Sequence, residues 1–175
     1  MNKRVKQMIY AALLSALAII IPIQFGFLKV YIPPFSATLA AHVPMFISML
    51  ISPMVAVVVG VGSGLGFLFA GMPMPVVFRA LTHILVGYVG AKIIKKTHNY
   101  AKASIITAPI HGLAEAIVVI PFIGLDLYQL LIVTLVGGMI HHCVDSIIAY
   151  GILKSVAKAR KKTIYDTFGE IQEVA

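Results

Sequence analysis

The run VVFRALTHILVGYVGAKIIKK, residues 76–96, decides how this chain folds. Residues 76–94 form an almost unbroken apolar helix of the length a bilayer core requires, roughly 20 residues. Arg79 and His83 nevertheless stand inside it, one turn apart on one face. Hydrocarbon tolerates such groups where they face a cavity or one another. The run closes on Lys92, Lys95 and Lys96, and lysines crowded at one end of a span mark the cytoplasmic side.

The rest of the sequence follows the same grammar. Of 175 residues, 60% are hydrophobic and 11% charged, where soluble domains carry about 25% charge. Mean hydropathy is +0.99. Only lipid accommodates a surface that apolar. The fold class is therefore all-α, a six-transmembrane-helix bundle in one unit, residues 1–160, followed by a polar tail, residues 161–175. Helix 1 covers residues 8–23. Its basic start resembles a signal peptide, but no small-residue cleavage site follows, so it reads as a retained span. Residues 24–36, with Gly26, Lys29, Pro33 and Pro34, form an ordered loop. Helix 2 covers residues 37–51 with Pro44 inside it. It is short for a span, and a re-entrant or buried segment is the alternative. Helix 3 covers residues 54–69, helix 4 residues 76–94, helix 5 residues 103–122 and helix 6 residues 127–158.

The net charge of +8 would suggest nucleic acid in a soluble protein. Here it reports topology. With the N-terminus inside, Lys3, Arg4, Lys6, Lys92, Lys95, Lys96, Lys102, Lys154, Lys158, Arg160, Lys161 and Lys162 are cytoplasmic, twelve of the fourteen basic residues. Six spans then place both termini on that side of the cell membrane. Only Lys29 and Arg79 remain elsewhere. The single cysteine, Cys143, excludes an intrachain disulfide and a cysteine-rich metal site.

The buried polar side chains carry the functional signal. At 1.5 Å per residue, Arg79, His83, His111, Glu115, His42 and Gln129 fall in the outer half of the bundle. His141, His142 and Asp145 fall deeper, with His141 and Asp145 on one face. Arg79 presents a fork of donors suited to a carboxylate, and a structural pair with Glu115 is the compatible alternative. No H-E-x-x-H occurs and His141 and His142 are adjacent, so neither a metal site nor a catalytic centre is expected. No P-loop is present, so no ATPase of its own is expected, and any active transport must borrow energy from a partner or an ion gradient. Two small-residue patterns permit close helix packing. Ala12 and Ala16, doubled by Ala11 and Ser15, lie on helix 1. Gly60, Gly62, Gly64 and Gly66 lie on helix 3. Each serves either packing within the chain or docking of a partner.

Three segments together carry a family resemblance. They are Ala12-Leu13-Leu14-Ser15-Ala16, Pro33-Pro34-Phe35-Ser36-Ala37-Thr38-Leu39-Ala40-Ala41-His42-Val43-Pro44, and Phe78-Arg79-Ala80-Leu81-Thr82-His83. Over residues 1–160 the chain resembles the substrate-binding S components of energy-coupling factor (ECF) vitamin transporters, most of all the niacin and pantothenate types. The resemblance implies a vitamin bound near the outer face under the first outer loop, and no cofactor. It implies a transmembrane coupling subunit and two cytoplasmic ATPases as partners, with the coupling subunit docked on Ala12 and Ala16. A vitamin carboxylate suits Arg79. A pyridine ring would stack on Tyr31, Phe35 or Phe78, with a histidine at its nitrogen. Pantothenate, or another vitamin or precursor, stays open. The rival classes are a structural or regulatory membrane protein, and a lipid-headgroup enzyme built on His141 and Asp145.

Overall fold

The computed structural model describes residues 2–169. Helix α1, Lys3–Gln24, begins where the Asn2 side chain accepts the Arg4 N–H. A hairpin follows, β1 Lys29–Ile32 against β2 Phe35–Thr38. It turns at Pro33-Pro34, whose peptide bond is cis. Next come α2, Val43–Met49, and α3, Pro53–Phe69. The Ser52 side chain caps α3 by accepting the Val55 N–H, and Pro53 takes the first turn, where its missing N–H costs nothing.

Helices α4, Met74–Leu81, and α5, His83–Thr97, form one rod interrupted at Thr82. The Thr82 hydroxyl donates to the Arg79 carbonyl at 2.6 Å. Helix α6, Tyr100–Ile123, is capped by Asn99. A π-helical stretch, Tyr128–Val136, runs directly into α7, Gly137–Ala159. Four rods are long and apolar enough to cross a membrane: Lys3–Gln24, Met74–Thr97, Tyr100–Ile123 and Tyr128–Ala159. Helix α3 is apolar but shorter. Leu13, Leu17, Ile105, Ile117, Ile140 and Ile147 stand exposed on the outer faces, as lipid-facing residues should.

The expected helix over residues 37–51 is corrected. Residues 35–38 are strand, and the helix keeps only Val43–Met49. Pro44 therefore sits in its first turn, not inside it. At 1.5 Å per residue α2 is about 10 Å long, far too short to span. Its side chains Met45, Phe46 and Met49 are at most 1% exposed. They form the centre of the core with Val59, Val86, Ala149 and Leu153. The buried-segment alternative is the one observed.

The glycines of α3 divide into two faces, both used within the chain. A Cβ on Gly60 would lie 2.6 Å from the Ile84 backbone nitrogen, so the start of α5 rests directly on α3 here. Gly64 meets Leu81 on the same side. Gly62 and Gly66 face α1 instead, against Ser15 and the Ala18 carbonyl. In the expected tail, Ile164–Gly169 forms helix α8. Ile164 and Phe168 are buried in the core, and the Tyr165 hydroxyl accepts the Tyr100 N–H at 2.9 Å. Residues 170–175 lie outside the described residues.

Candidate functional site

Packing of α4 against α6, under the hairpin, assembles the polar site. Arg79 of α4 is 2% exposed and Glu115 of α6 is 3% exposed. Arg79 Nη2 donates to Glu115 Oε1 at 2.8 Å, and Nη1 donates to the Pro34 carbonyl at 3.2 Å. The Phe35 ring lies over the guanidinium, 4.8 Å from its centre. The hairpin thus covers Arg79 with one carbonyl and one aromatic face. Two polar atoms remain without partners, Arg79 Nε and Glu115 Oε2. Gly138 of α7 makes room for that carboxylate, since a Cβ there would collide with Oε2.

Below this pair lie the histidines. His42 stands at the start of α2, His83 at the start of α5 and His111 inside α6, one turn from Glu115. The His42 ring centroid is 4.5 Å from that of His83 and 4.7 Å from that of His111. His83 Nδ1 is hydrogen-bonded to the Ser63 hydroxyl at 2.7 Å, which the close Gly60 contact permits one turn earlier on α3. His83 Nε2 and both nitrogens of His111 are buried without hydrogen-bond partners. His111 Nε2 lies 3.4 Å from Glu115 Oε1, within ion-pair range but outside hydrogen-bond geometry.

The division into an outer group and a deeper group is corrected. Asp145 Oδ2 accepts His42 Nδ1–H at 2.8 Å and the His42 backbone N–H at 3.0 Å. Oδ1 accepts the Ala40 N–H at 2.8 Å. These bonds hold Ala40 at φ +67, a left-handed conformation that alanine rarely adopts. His141 Nε2 lies 3.1 Å from the Thr38 carbonyl and 3.2 Å from Asp145 Oδ2. Its ring is 4.3 Å from His42. His142, adjacent in sequence, also reaches the cluster, 5.3 Å from the His111 ring. Adjacency does not separate these two histidines, because α2 fits between their directions: His141 flanks His42 and His142 packs on Phe46.

Ser36, His42, Arg79, His83, Glu115 and His141 line one cavity with apolar walls from Ala41, Phe67, Val76 and Ala80. Its volume of about 20 Å³ holds about one water. Two expected residues lie elsewhere. Tyr31 and Gln129 line a separate outer groove with Pro33, Pro34 and Phe122. Phe78 is half exposed beside Phe122. Sequence reasoning missed Ser63, which lies inside the glycine stripe with no motif of its own. Two groups have metal-ligand proximity: His42 with His83 and His111, and His42 with His141 and Asp145.

On α1 the small residues split. Ala12 and Ala16 are exposed, while Ala11 and Ser15 turn toward the bundle. Ala11 packs on the core, and the Ser15 hydroxyl donates to the Val58 carbonyl at 3.4 Å.

The chain is 35% identical to the niacin transporter NiaX of Lactococcus lactis subsp. cremoris (strain MG1363). The alignment covers 93% of this chain and 80% of that protein. The chain belongs to the S components of ECF vitamin transporters. No protein-family signature and no solved structure matches it. Membership gives this S component a role in vitamin import. The buried polar set is thereby placed in a substrate-capturing subunit, and the exposed apolar faces in a multi-pass membrane protein.

Proposed function

We propose that this S component captures niacin, as nicotinate, at Arg79, and hands it to an ECF coupling module. The observation that carries this reading is Arg79 itself. It is a buried guanidinium with an unpartnered Nε beside a cavity, in a chain similar to a niacin transporter. A guanidinium binds carboxylates through its planar fork. His42, His83 and His111 offer ring nitrogens to the pyridine side, and Phe35 offers a stacking face. Tyr31 and Gln129 sit at the outer groove, where they would meet the vitamin on its way in.

Five rods, α1, α3, α4 with α5, α6 and Tyr128–Ala159, cross the membrane, and the hairpin with the buried α2 returns the chain inward as a sixth, incomplete crossing, so both termini lie in the cytoplasm. The basic residues at the ends of α1, α5 and α7 support this orientation. Ala12 and Ala16 form the docking stripe for the transmembrane coupling subunit, which two cytoplasmic ATPases drive. The protein then topples in the bilayer and releases the vitamin inside.

Calorimetric titration of the purified protein with nicotinate, nicotinamide and pantothenate tests the substrate. Tight binding of nicotinate, with nicotinamide at least about a hundredfold weaker, is the expected result, because nicotinamide leaves the guanidinium unpaired. Preference for pantothenate would move the protein to the neighbouring substrate class. Equal binding of nicotinamide would remove Arg79 from the reading.

A further inference from the structure

We propose that His42, His83 and His111 hold one divalent transition-metal ion of the zinc class, with an open position for the pyridine nitrogen of a vitamin whose carboxylate Arg79 holds. The three histidines come from α2, α5 and α6 and are at most 2% exposed. One nitrogen from each lies within 4.8 Å of the others. Zinc bound by imidazole at about 2.0–2.1 Å in tetrahedral geometry sets its nitrogens about 3.4 Å apart. Ring rotations of about an ångström therefore close the site. Three histidines and a free fourth position match zinc sites that exchange an outside ligand.

Two of the three rings have the outer contact a metal-binding histidine needs. Such a ring holds its second N–H against a carboxylate, carbonyl or similar acceptor, which fixes the tautomer. His42 Nδ1 donates to Asp145 and His83 Nδ1 meets Ser63. That leaves Nε2 of each ring for the ion. His83 Nε2 and both nitrogens of His111 are buried without hydrogen bonds. Buried polar nitrogens left unpaired are costly in any fold, and coordination satisfies one on each ring. The second group, His42, His141 and Asp145, is the poorer site. Asp145 already accepts N–H groups from Ala40 and His42, and His141 Nε2 lies 3.2 Å from it while meeting the Thr38 carbonyl. Asp145 serves as the outer support.

Charge points the same way. Arg79 and Glu115 neutralise each other, and Asp145 adds a further negative charge. With neutral imidazoles, the set as a whole carries one negative charge. One divalent cation, with nicotinate in its open position, brings the cluster to neutrality. The metal site stands on the histidines alone; its service to nicotinate rests on the function proposed above.

The test uses purified full-length protein, stripped with a chelator and dialysed. Zn²⁺ alone is titrated by calorimetry, and Co²⁺ alone is followed by its visible absorption. Nicotinate is then titrated with and without Zn²⁺. We expect one Zn²⁺ per chain and the absorption of tetrahedral Co²⁺. Zinc affinity falls at least about tenfold in both His83→Asn and His111→Asn and is kept in His98→Asn, which lies outside the cluster. Nicotinate affinity of the stripped wild type rises about tenfold or more with Zn²⁺ and not with Mg²⁺. Absence of Zn²⁺ uptake by the wild type, or undiminished uptake in both variants, overturns the site. Stoichiometric uptake with nicotinate affinity unchanged overturns the ion's part in capture and supports the site. If nicotinate fails to bind in either state while Zn²⁺ binds, the niacin reading fails and the metal site stands.

Discussion

Asp145, deep in α7, fixes His42 by two hydrogen bonds, one to the ring at 2.8 Å and one to the backbone at 3.0 Å. Through a third bond to Ala40 it also holds the left-handed turn that leads the hairpin into α2. One carboxylate therefore sets both the tautomer of a site histidine and the height of the covering hairpin.

Asp145→Asn keeps the volume, loses the charge and turns one of the two acceptor oxygens into an NH2 donor, so either His42 or the Ala40 turn loses its acceptor. A buried hydrogen bond to a charged group contributes about 1.5–3 kcal/mol. The thermal midpoint in detergent should fall clearly, and nicotinate binding should weaken with it. An unchanged midpoint would remove Asp145 from its supporting role.

Gly60→Ala places a methyl where the Ile84 backbone nitrogen stands, 2.6 Å away. Backbone cannot rotate aside as a side chain does, so α5 must shift. We expect a loss of about 1–3 kcal/mol and a weakened Ser63–His83 bond. Gly71→Ala, at an exposed turn with nothing nearby, strains only its own φ of +69 and should leave binding intact. Comparing thermal midpoint and nicotinate affinity for the two variants separates packing from turn strain.

The Arg79–Glu115 pair is legible in the sequence, because rise per residue places both one or two turns from the same membrane face. The link from His42 to Asp145 is not. Treating residues 37–51 as one helix puts His42 near an outer end. In the fold, a hairpin carries the chain inward before α2 begins, and His42 arrives beside Asp145. Hairpin pairing depends on contacts between strands that periodicity does not encode. The glycines of α3 are legible as close-packing positions, but their partners, α1 on one face and α4 with α5 on the other, emerge only in the fold.

Phe35→Ala removes the ring over the guanidinium and loosens the hairpin cover. A desolvated cation–π contact contributes up to ~2 kcal/mol. Nicotinate affinity should fall about tenfold, mostly through faster release, which stopped-flow dissociation measures. A purely slower association would argue against the hairpin as a cover.

Ala12→Leu and Ala16→Leu enlarge the exposed stripe of α1 without touching the core. Vitamin binding by the purified protein should be unchanged, while uptake by cells expressing the whole transporter is lost. Ser15→Leu, aimed at Gly62, should instead lower stability. Normal uptake with both alanine positions enlarged would move the docking face elsewhere.

The central claim is that a buried guanidinium selects an acid. Its most direct test is the ratio of nicotinate to nicotinamide affinity in Arg79→Lys against wild type. Lysine keeps the charge and loses the planar fork. We expect nicotinate affinity to fall at least about a hundredfold, while the weak nicotinamide binding changes little. An unaltered nicotinate-to-nicotinamide ratio in the variant would contradict the claim.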